Sequence, residues 1–333
     1  MAKPTIRDVA KLAGVSVSVA SNALNDKGRV NIETCMRVKE TARLLGYVPN
    51  YTARRLRGEG GAIGVMITDT LEDVPLERFT GEALYWFYHL TYDRGFKLHR
   101  VHLPSSEFSE GRLYDALNDG AMDGVIFLTP RLPQIDAIVR VMERLNHLPH
   151  IFFSTTVDLP DESYIDSDGE SGAAEVVRHL MAHGHTRIGY MMPSDGHDLS
   201  NAVDRLNGAR GEMEKAGLEL SVYYAPPWQG VLYLDEILAN KITALITWND
   251  LFALRITSEL ERMGMQVPQD MAVIGFDDEM FSKWCYPKIT TVSQPIADMS
   301  KATIDYLIAR IKTGEAKVLH QKFPVHLILR ESG

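Results

Sequence analysis

The chain has 333 residues, 45% of them hydrophobic and 24% charged. At roughly 100–200 residues per domain that suggests about two or three domains, and the balance excludes a mostly disordered polymer. The net charge of −9 hides a split: residues 1–60 carry 11 Lys and Arg against 5 Asp and Glu, a net of +6, while the other 273 carry 24 against 39, a net of −15. Such asymmetry points to a basic module for a polyanion joined to a larger acidic body, with a solvated basic terminus as the alternative that charge alone leaves open.

The N-terminus, Met1-Ala2-Lys3-Pro4-Thr5-Ile6-Arg7-Asp8, runs at once into charges and lacks the apolar core of a signal peptide. Nowhere does the chain approach the roughly 18 apolar residues that span a bilayer. A cytoplasmic protein without membrane contact is expected. Residues 5–46 read as three short helices. Thr5 can cap the first, with Asp8 at the capping-box position, and Ile6, Val9, Ala10 and Ala13 give it an apolar face. Gly14 and Val15 follow. Ser16 is a second N-cap, and helix two is expected over Val17–Leu24. Asn31 can cap a third helix through Leu45, with Val38, Ala42 and Leu45 inward and Gly46 as its left-handed C-terminal cap. A helix, a short turn with Gly and a second capped helix form the helix-turn-helix pattern. This reading makes residues 1–49 an all-α helix-turn-helix domain.

Tyr47-Val48-Pro49-Asn50 breaks helicity. The segment from Tyr51 to Arg57 can form about two helical turns, too few to persist alone in water, where isolated helices need about 12–15 residues. Gly58-Glu59-Gly60-Gly61 reads as a flexible joint. Residues 50–61 are therefore a hinge helix and linker, and 62–333 the core.

In the core, short apolar runs alternate with amphipathic segments. The candidate strands are Ile63–Thr68, Phe96–Leu103, Gly124–Thr129, His150–Ser154, Ile188–Met192, Ala244–Trp248 and Met271–Phe276. Helical patterns cover Glu77–Arg94, Ser109–Asn118, Ile135–Leu145, Gly169–His183, Ala202–Ala216, Leu251–Met263 and Ile296–Ile311. Such alternation predicts parallel sheets covered by helices on both faces. The units are too many for one small sheet, so the expected core is two doubly wound α/β lobes. Thr68, Asp69 and Ser154 then sit at strand ends, where doubly wound folds bind ligands.

Several chemistries are set aside. Gly58, Gly60, Gly61 and Gly64 precede a strand instead of following one, so they do not make a dinucleotide loop. His179 and His183 stand at i and i+4 but lack a third metal ligand at convincing spacing. Cys35 and Cys285 are too few for a disulfide framework or a multi-cysteine zinc site. Asp277 and Asp278, as chain neighbours, should diverge in direction, and no Gly-x-Ser-x-Gly nucleophile elbow occurs. No cofactor, no metal and no enzymatic activity are expected.

Thr5-Ile6-Arg7-Asp8-Val9-Ala10-Lys11-Leu12-Ala13-Gly14-Val15-Ser16, with Ser21, Leu24-Asn25 and Gly46-Tyr47-Val48-Pro49-Asn50, resembles the lactose-repressor (LacI/GalR) family. Later motifs keep the family's order: His183-Gly184-His185-Thr186-Arg187-Ile188, Arg205-Leu206-Asn207-Gly208, Trp248-Asn249-Asp250, Val267-Pro268-Gln269-Asp270, Ile274-Gly275-Phe276-Asp277-Asp278, Thr290 to Pro295, and Leu329-Arg330-Glu331-Ser332. The resemblance spans essentially the whole chain. It implies a DNA-binding domain, a hinge helix and a core of periplasmic-binding-protein shape. It also implies a homodimer on pseudo-palindromic double-stranded operator DNA, controlled by a small molecule between the lobes. A tetramer in this family needs a heptad tail, and with the chain ending at Gly333, just past the last core strand, a dimer is expected.

By resemblance, helix two is the recognition helix. Val17, Ser18 and Asn22 read bases, with Ser21 nearer the phosphates. A valine suits a thymine methyl and an asparagine can pair with adenine bidentately. Val19-Ala20 departs from the family's usual Thr-Val. In the hinge, Asn50, Ala53 and Leu56 recur at helical spacing beside Arg54. The resemblance makes Leu56 a minor-groove wedge and gives the arginines phosphate. In the core, Arg205, Asn249 and Asp277 match ligand-binding positions, while Asp250 is expected to cap the following helix. Gln294 lies on a crossover beside the same cleft. Trp228 and Trp248 can stack on a sugar's C–H face, with core packing the alternative. The expected protein is a transcriptional regulator, a repressor responding to a sugar or sugar phosphate. A periplasmic-type binding protein without DNA function is the runner-up.

Overall fold

The computed structural model describes residues 4–24, 30–45, 47, 61–68, 78–118, 120–145, 148–225, 234–314 and 317–333. The N-terminal region holds three helices, α1 (Ile6–Ala13), α2 (Val17–Leu24) and α3 (Ile32–Leu45). Each begins where its sequence supplies a cap. The Asp8 carboxylate accepts from the Thr5 backbone N–H at 2.8 Å and from its hydroxyl at 2.7 Å. Ser16 Oγ accepts from the N–H of Val19 at 3.2 Å, and Asn31 Oδ1 from that of Glu33 at 3.0 Å. Caps of this kind contribute about 0.5–2 kcal/mol each. The helices close on Val9, Ala10, Ala13, Ala20, Ala23, Val38 and Ala42. Ala20, small where the family usually has valine, is fully buried. The chain turns at Gly14, whose φ of +66° costs a glycine nothing.

Two six-stranded sheets follow. The first uses β1 (Ala62–Ile67), β2 (Lys97–His102), β3 (Gly124–Leu128), β4 (His150–Phe153), β5 (Tyr164–Ser167) and β11 (His320–Phe323). The second uses β6 (Ile188–Pro193), β7 (Ser221–Ala225), β8 (Ala244–Thr247), β9 (Ala272–Phe276), β10 (Thr290–Ser293) and β12 (His326–Ile328). Their orders are β2-β1-β3-β4-β5-β11 and β7-β6-β8-β9-β10-β12. The first five strands of each repeat the doubly wound 2-1-3-4-5 order. All pairs are parallel except β10 with β12. The central strands are buried throughout, which is why they read as continuous apolar runs.

Helices α4 (Arg78–Asp93), α5 (Glu110–Leu117) and α6 (Leu132–Arg144) belong to the first lobe. The second carries α7 (Gly169–Ala182), α8 (Ser200–Lys215), α9 (Leu234–Ala239) and α10 (Asp250–Arg262). The last helix, α11 (Ile296–Thr313), returns to the first lobe, burying Ile296, Met299, Ile304 and Leu307 against β1 and β3. The chain thus crosses between lobes three times: after β5, after β10 and between β11 and β12.

Strands β5, β7, β10, β11 and β12 and helix α9 have no counterpart among the strands and helices expected from sequence. Each is short. The strand His320-Gln321-Lys322-Phe323 lies at a sheet edge with its first residue exposed, so no apolar run marks it. One capping expectation is corrected. Asn249, not Asp250, caps α10: Asn249 Oδ1 accepts from Phe252 N–H at 3.0 Å. Asp250 is fully buried and turned inward.

Candidate functional site

Two surfaces bear on function. On α2, Val17 is 44% exposed, and Ser18 and Asn22 are exposed beside a half-buried Ser21. Val15 and Ala20 fill the inner side. An apolar methyl pair, a hydroxyl and an amide therefore share the outer face of one short helix. The hinge positions Asn50, Ala53, Arg54 and Leu56 lie outside the described residues, as do Asp69 and Trp228 of the expected cleft set.

The second surface lies between the lobes, at the C-terminal ends of their strands. On the first lobe Thr68 follows β1, Thr129 follows β3 and Ser154 follows β4. Thr129 and Ser154 hold φ of +46° and +55°, a region that costs residues other than glycine and clusters at functional sites. Facing them, Arg205 projects from α8. It is 4% exposed, and its guanidinium carbon stands 3.6 Å from the Phe276 ring centroid. One nitrogen donates to the Trp248 carbonyl at 2.8 Å, and another lies 3.5 Å from Asp277 Oδ1. Asp277 holds φ of +104° just past β9. Gln294 joins it to the other lobe, donating to Asp277 Oδ1 at 2.6 Å while its own carbonyl accepts from Ser167 Oγ at 2.6 Å.

The structure thus brings together Arg205, Asp277 and Gln294 and sets Ser154 of the other lobe against the same helix as Arg205, while Thr68 stands buried at the end of β1. Trp248 is half-buried between the two cores of the second lobe, and its indole N–H is buried without a partner. Asn249 commits its side-chain carbonyl oxygen to the cap of α10. Asp278 diverges from Asp277 and pairs with Arg330 and Lys283. Among the described residues no cluster of three His, Cys, Asp or Glu is placed to hold a metal. His179 and His183 pack with ring centroids 4.4 Å apart and the rings tilted by 46°.

Sequence reasoning missed several residues here. Asn201 sits one helical turn before Arg205 and donates to Ser154 Oγ at 3.4 Å, across the lobes; its i, i+4 spacing from Arg205 was the available signal. Thr156 N–H donates to Ser200 Oγ at 3.1 Å. The Thr156 hydroxyl lies 3.3 Å from Asp166 and 3.5 Å from Asp204, and Lys322 pairs with Asp204 at 2.8 Å. Burial pushes the Asp166 carboxyl up to about 7. At the rim, Arg131 of the first lobe meets Asp195 of the second at 2.8 Å. No local pattern announces these pairs, because each joins segments far apart in the chain.

Asp250 lies behind the site. Its Oδ2 accepts from Glu279 N–H at 2.7 Å and Ser282 Oγ at 2.5 Å, and its Oδ1 from Thr291 Oγ1 at 2.5 Å. Desolvation nevertheless dominates and raises it to about 8. It holds the chain that follows the strained Asp277–Asp278 turn.

Comparison with known proteins matches the regions that carry these surfaces. Residues 5–50 match the description "Bacterial regulatory proteins, lacI family" and residues 177–333 a periplasmic binding protein-like domain. The HTH-type transcriptional regulator CelR of Thermobifida fusca is 28% identical, covering 99% of this chain and 98% of its own. The ribose operon repressor of Escherichia coli K12 is also 28% identical, with 99% of each chain covered. Among solved structures, a CelR–cellobiose complex superposes with a TM-score of 0.75 at 26% identity, covering 99% of this chain and 100% of its own. A lac repressor dimer bound to operator shares the fold, with a TM-score of 0.71 at 23% identity over 99% of each chain. No described helix is long and apolar enough to cross a membrane. With its motifs in order along the chain, a helix-turn-helix that matches the family's DNA-binding domain and a two-lobed core behind it, the chain belongs to the LacI/GalR (lactose-repressor) family and is a sequence-specific DNA-binding transcriptional regulator.

Proposed function

We propose that the protein is a homodimeric repressor whose grip on a pseudo-palindromic operator is set by a sugar-class effector between its lobes. In this reading residues 1–49 bind DNA, 50–61 form the hinge and 62–333 bind effector and dimerise. Val17, Ser18 and Asn22 read base edges, Ser21 contacts phosphate, and Asn50, Ala53, Arg54 and Leu56 occupy the minor groove and its rim. The effector is met by Thr68, Asp69 and Ser154 from one lobe and by Arg205, Trp228, Trp248, Asn249, Asp277 and Gln294 from the other. Asn249 acts there through its amide nitrogen, since its oxygen holds the helix cap.

The observation that carries this reading is the chain Arg205–Asp277–Gln294–Ser167. A carboxylate and a guanidinium suited to hydroxyl groups are tied to the crossover on which the lobes turn. A ligand that engages Asp277 must therefore bias the angle between the lobes. Cellobiose, named with the CelR structure, and ribose, named with a bound regulator from Enterococcus faecium, are the first effectors to try.

The test is to titrate operator and effector against each other. Coupling of about 1–3 kcal/mol is expected, and the factor by which effector changes operator affinity must equal the reverse factor. Operator affinity indifferent to every sugar would remove the effector from this account. Asp277→Asn should weaken effector binding in calorimetry while operator affinity without effector stays near wild type; unchanged effector affinity would place Asp277 outside the site. Asn22→Ala should relax preference at one base pair per half-site by about 1–3 kcal/mol. If a set of single-base operator variants keeps its rank and spread, Asn22 reads no base.

A further inference from the structure

The chain enters the core at one tightly held point. Strand β1 lies between β2 and β3, and its first residues are bound from both sides. Lys97 N–H donates to the Gly61 carbonyl at 2.8 Å and Asp123 N–H to the Ala62 carbonyl at 2.7 Å. In return the Ala62 N–H donates to Asp123 Oδ2 at 2.7 Å, in a buried contact between residues 61 apart in the chain. Ala62 and Asp123 thus exchange two hydrogen bonds, one of them with a carboxylate, the stronger kind. Asp123 stands just ahead of β3, whose first residue, Gly124, pairs with Ile63, so the carboxylate extends the β1–β3 ladder by one residue.

Gly61 is held as closely. It is buried, and a Cβ there would stand 2.4 and 2.6 Å from two carbons of the Phe96 ring and 3.0 Å from Asp123 Oδ2. The slot between ring and carboxylate admits only a residue without a side chain. Of the four residues that the sequence suggests as a joint, 58–61, the last therefore belongs to the core. This matters for a protein that grips two half-sites at once. Two DNA-binding domains on one dimer act as a bivalent binder, whose affinity peaks when the linkage matches the span between the sites. A released residue adds up to about 3.3–3.6 Å of reach, close to the rise of about 3.4 Å per base pair. Freeing Gly61 and Ala62 would therefore blur the span by about a base pair or more.

Resting on the reading of a homodimer on a pseudo-palindrome, we propose that Asp123 determines operator specificity through half-site spacing: by holding Ala62 and Gly61 it fixes where each DNA-binding arm leaves the core, and hence the separation of half-sites that the dimer accepts. Asp123 is a positioning residue, acting through the chain and not through contact with DNA. Its loss costs discrimination between spacings, while recognition of a single half-site is kept.

The experiment uses the full-length protein and the site it selects from random duplex DNA. Affinity is measured for that site, for the same site with one base pair inserted at its centre and for it with one removed. For wild type a loss on the order of tenfold or more is expected on each altered spacing. Asp123→Ala should shrink that penalty at least about threefold, since slack flattens the dependence on span. Asp123→Asn keeps a carbonyl oxygen for the Ala62 N–H and should retain the wild-type penalty. One glycine inserted after Gly60 supplies deliberate slack and should act like Asp123→Ala. A merely structural weakening lowers affinity for all the sites together and leaves their ratios alone. A wild type indifferent to spacing or unchanged ratios in Asp123→Ala overturns the inference, as does an asparagine variant that behaves like the alanine one or a glycine insertion without effect. Should Asp123→Ala fail to fold, Gly61→Ala, which drives a Cβ into the same slot, carries the test, and wild-type ratios there overturn the inference. A selected site without two half-sites defeats the dimer reading itself, and the inference with it.

Discussion

Gly208→Ala is expected to unfold the second lobe under conditions where the parent protein is native, although alanine is the better helix former. Helix propensity alone favours the substitution by about 0.8–1.0 kcal/mol. The packing of α7 against α8 outweighs it. A Cβ at Gly208 would overlap the Glu170 carbonyl oxygen and stand 2.7 Å from the carbonyl carbon and 2.9 Å from Cα. These are backbone atoms of the first turn of α7, and no rotamer change can move them. The helices must separate, which strips contacts among Ala173, Val177, Leu206 and Ala209. Overpacking of this kind costs about 1–3 kcal/mol and more where the backbone itself is struck, so a loss of about 3 kcal/mol or more is expected. Gly211, three residues along the same helix, meets nothing within 4 Å, and Gly211→Ala should instead stabilise by up to about 1 kcal/mol. Urea unfolding of the two variants checks the pair. A Gly208→Ala protein as stable as wild type would mean that α7 and α8 are not locked at this crossing.

Asp250 gives the second large effect. Its ordinary value is 3.8, and burial raises it to about 8. Asp166 rises in the same way to about 7. Between about pH 4 and pH 8 the folded chain therefore holds protons that the unfolded chain has released. Stability falls as pH rises wherever the unfolded state binds fewer protons. The contribution is full below about pH 4 and is lost as pH climbs through 7 and 8. Midpoints of thermal unfolding should decline from pH 5.5 to pH 8.5. Asp250→Asn keeps the shape, with an oxygen for Glu279 N–H and Ser282 and an amide to donate to Thr291, so it should flatten much of that decline. A slope in Asp250→Asn equal to wild type would show that Asp250 is not a source of it. Asp250→Leu leaves three buried partners unanswered, at about 1–3 kcal/mol each. It should unfold the second lobe and release the Asp277–Asp278 turn.

The two predictions concern one mechanical unit. Gly208 lets α8 approach α7, and that approach sets the depth of Arg205. A Cβ on Gly169, at the start of α7, would stand 3.0 Å from Arg205 Cγ. Asp250 sets the turn that presents Asp277, and a Cβ on the neighbouring Gly275 would strike its carboxylate. The motifs Arg205-Leu206-Asn207-Gly208 and Ile274-Gly275-Phe276-Asp277 thus each join a polar group to the glycine that makes room for it.

The sequence by itself determined the helix-turn-helix and the α/β character of the core. Thr5 with Asp8, Ser16 and Asn31 cap their helices within three residues, so those signals are readable without knowing what lies elsewhere. Buried parallel strands such as Ala62–Ile67 and Gly124–Leu128 announce themselves as apolar runs, and ordered motifs placed Arg205 and Asp277 beside each other. Tertiary structure alone decided the edge strands β7, β11 and β12 and the interior strands β5 and β10, because segments this short become strands only when a neighbour offers its hydrogen bonds. It assigned α11 to the first lobe after a crossover. It gave the cap to Asn249 and buried Asp250, a choice between adjacent residues that depends on Ser282 and Thr291, more than 30 residues away. It also built the cleft, where Ser167 and Gln294 meet across 127 residues. Caps and periodicity are set by residues a few positions apart and survive in one dimension. A cleft is made of contacts between distant segments, and their geometry exists only once both sheets have formed and the chain has crossed between them three times.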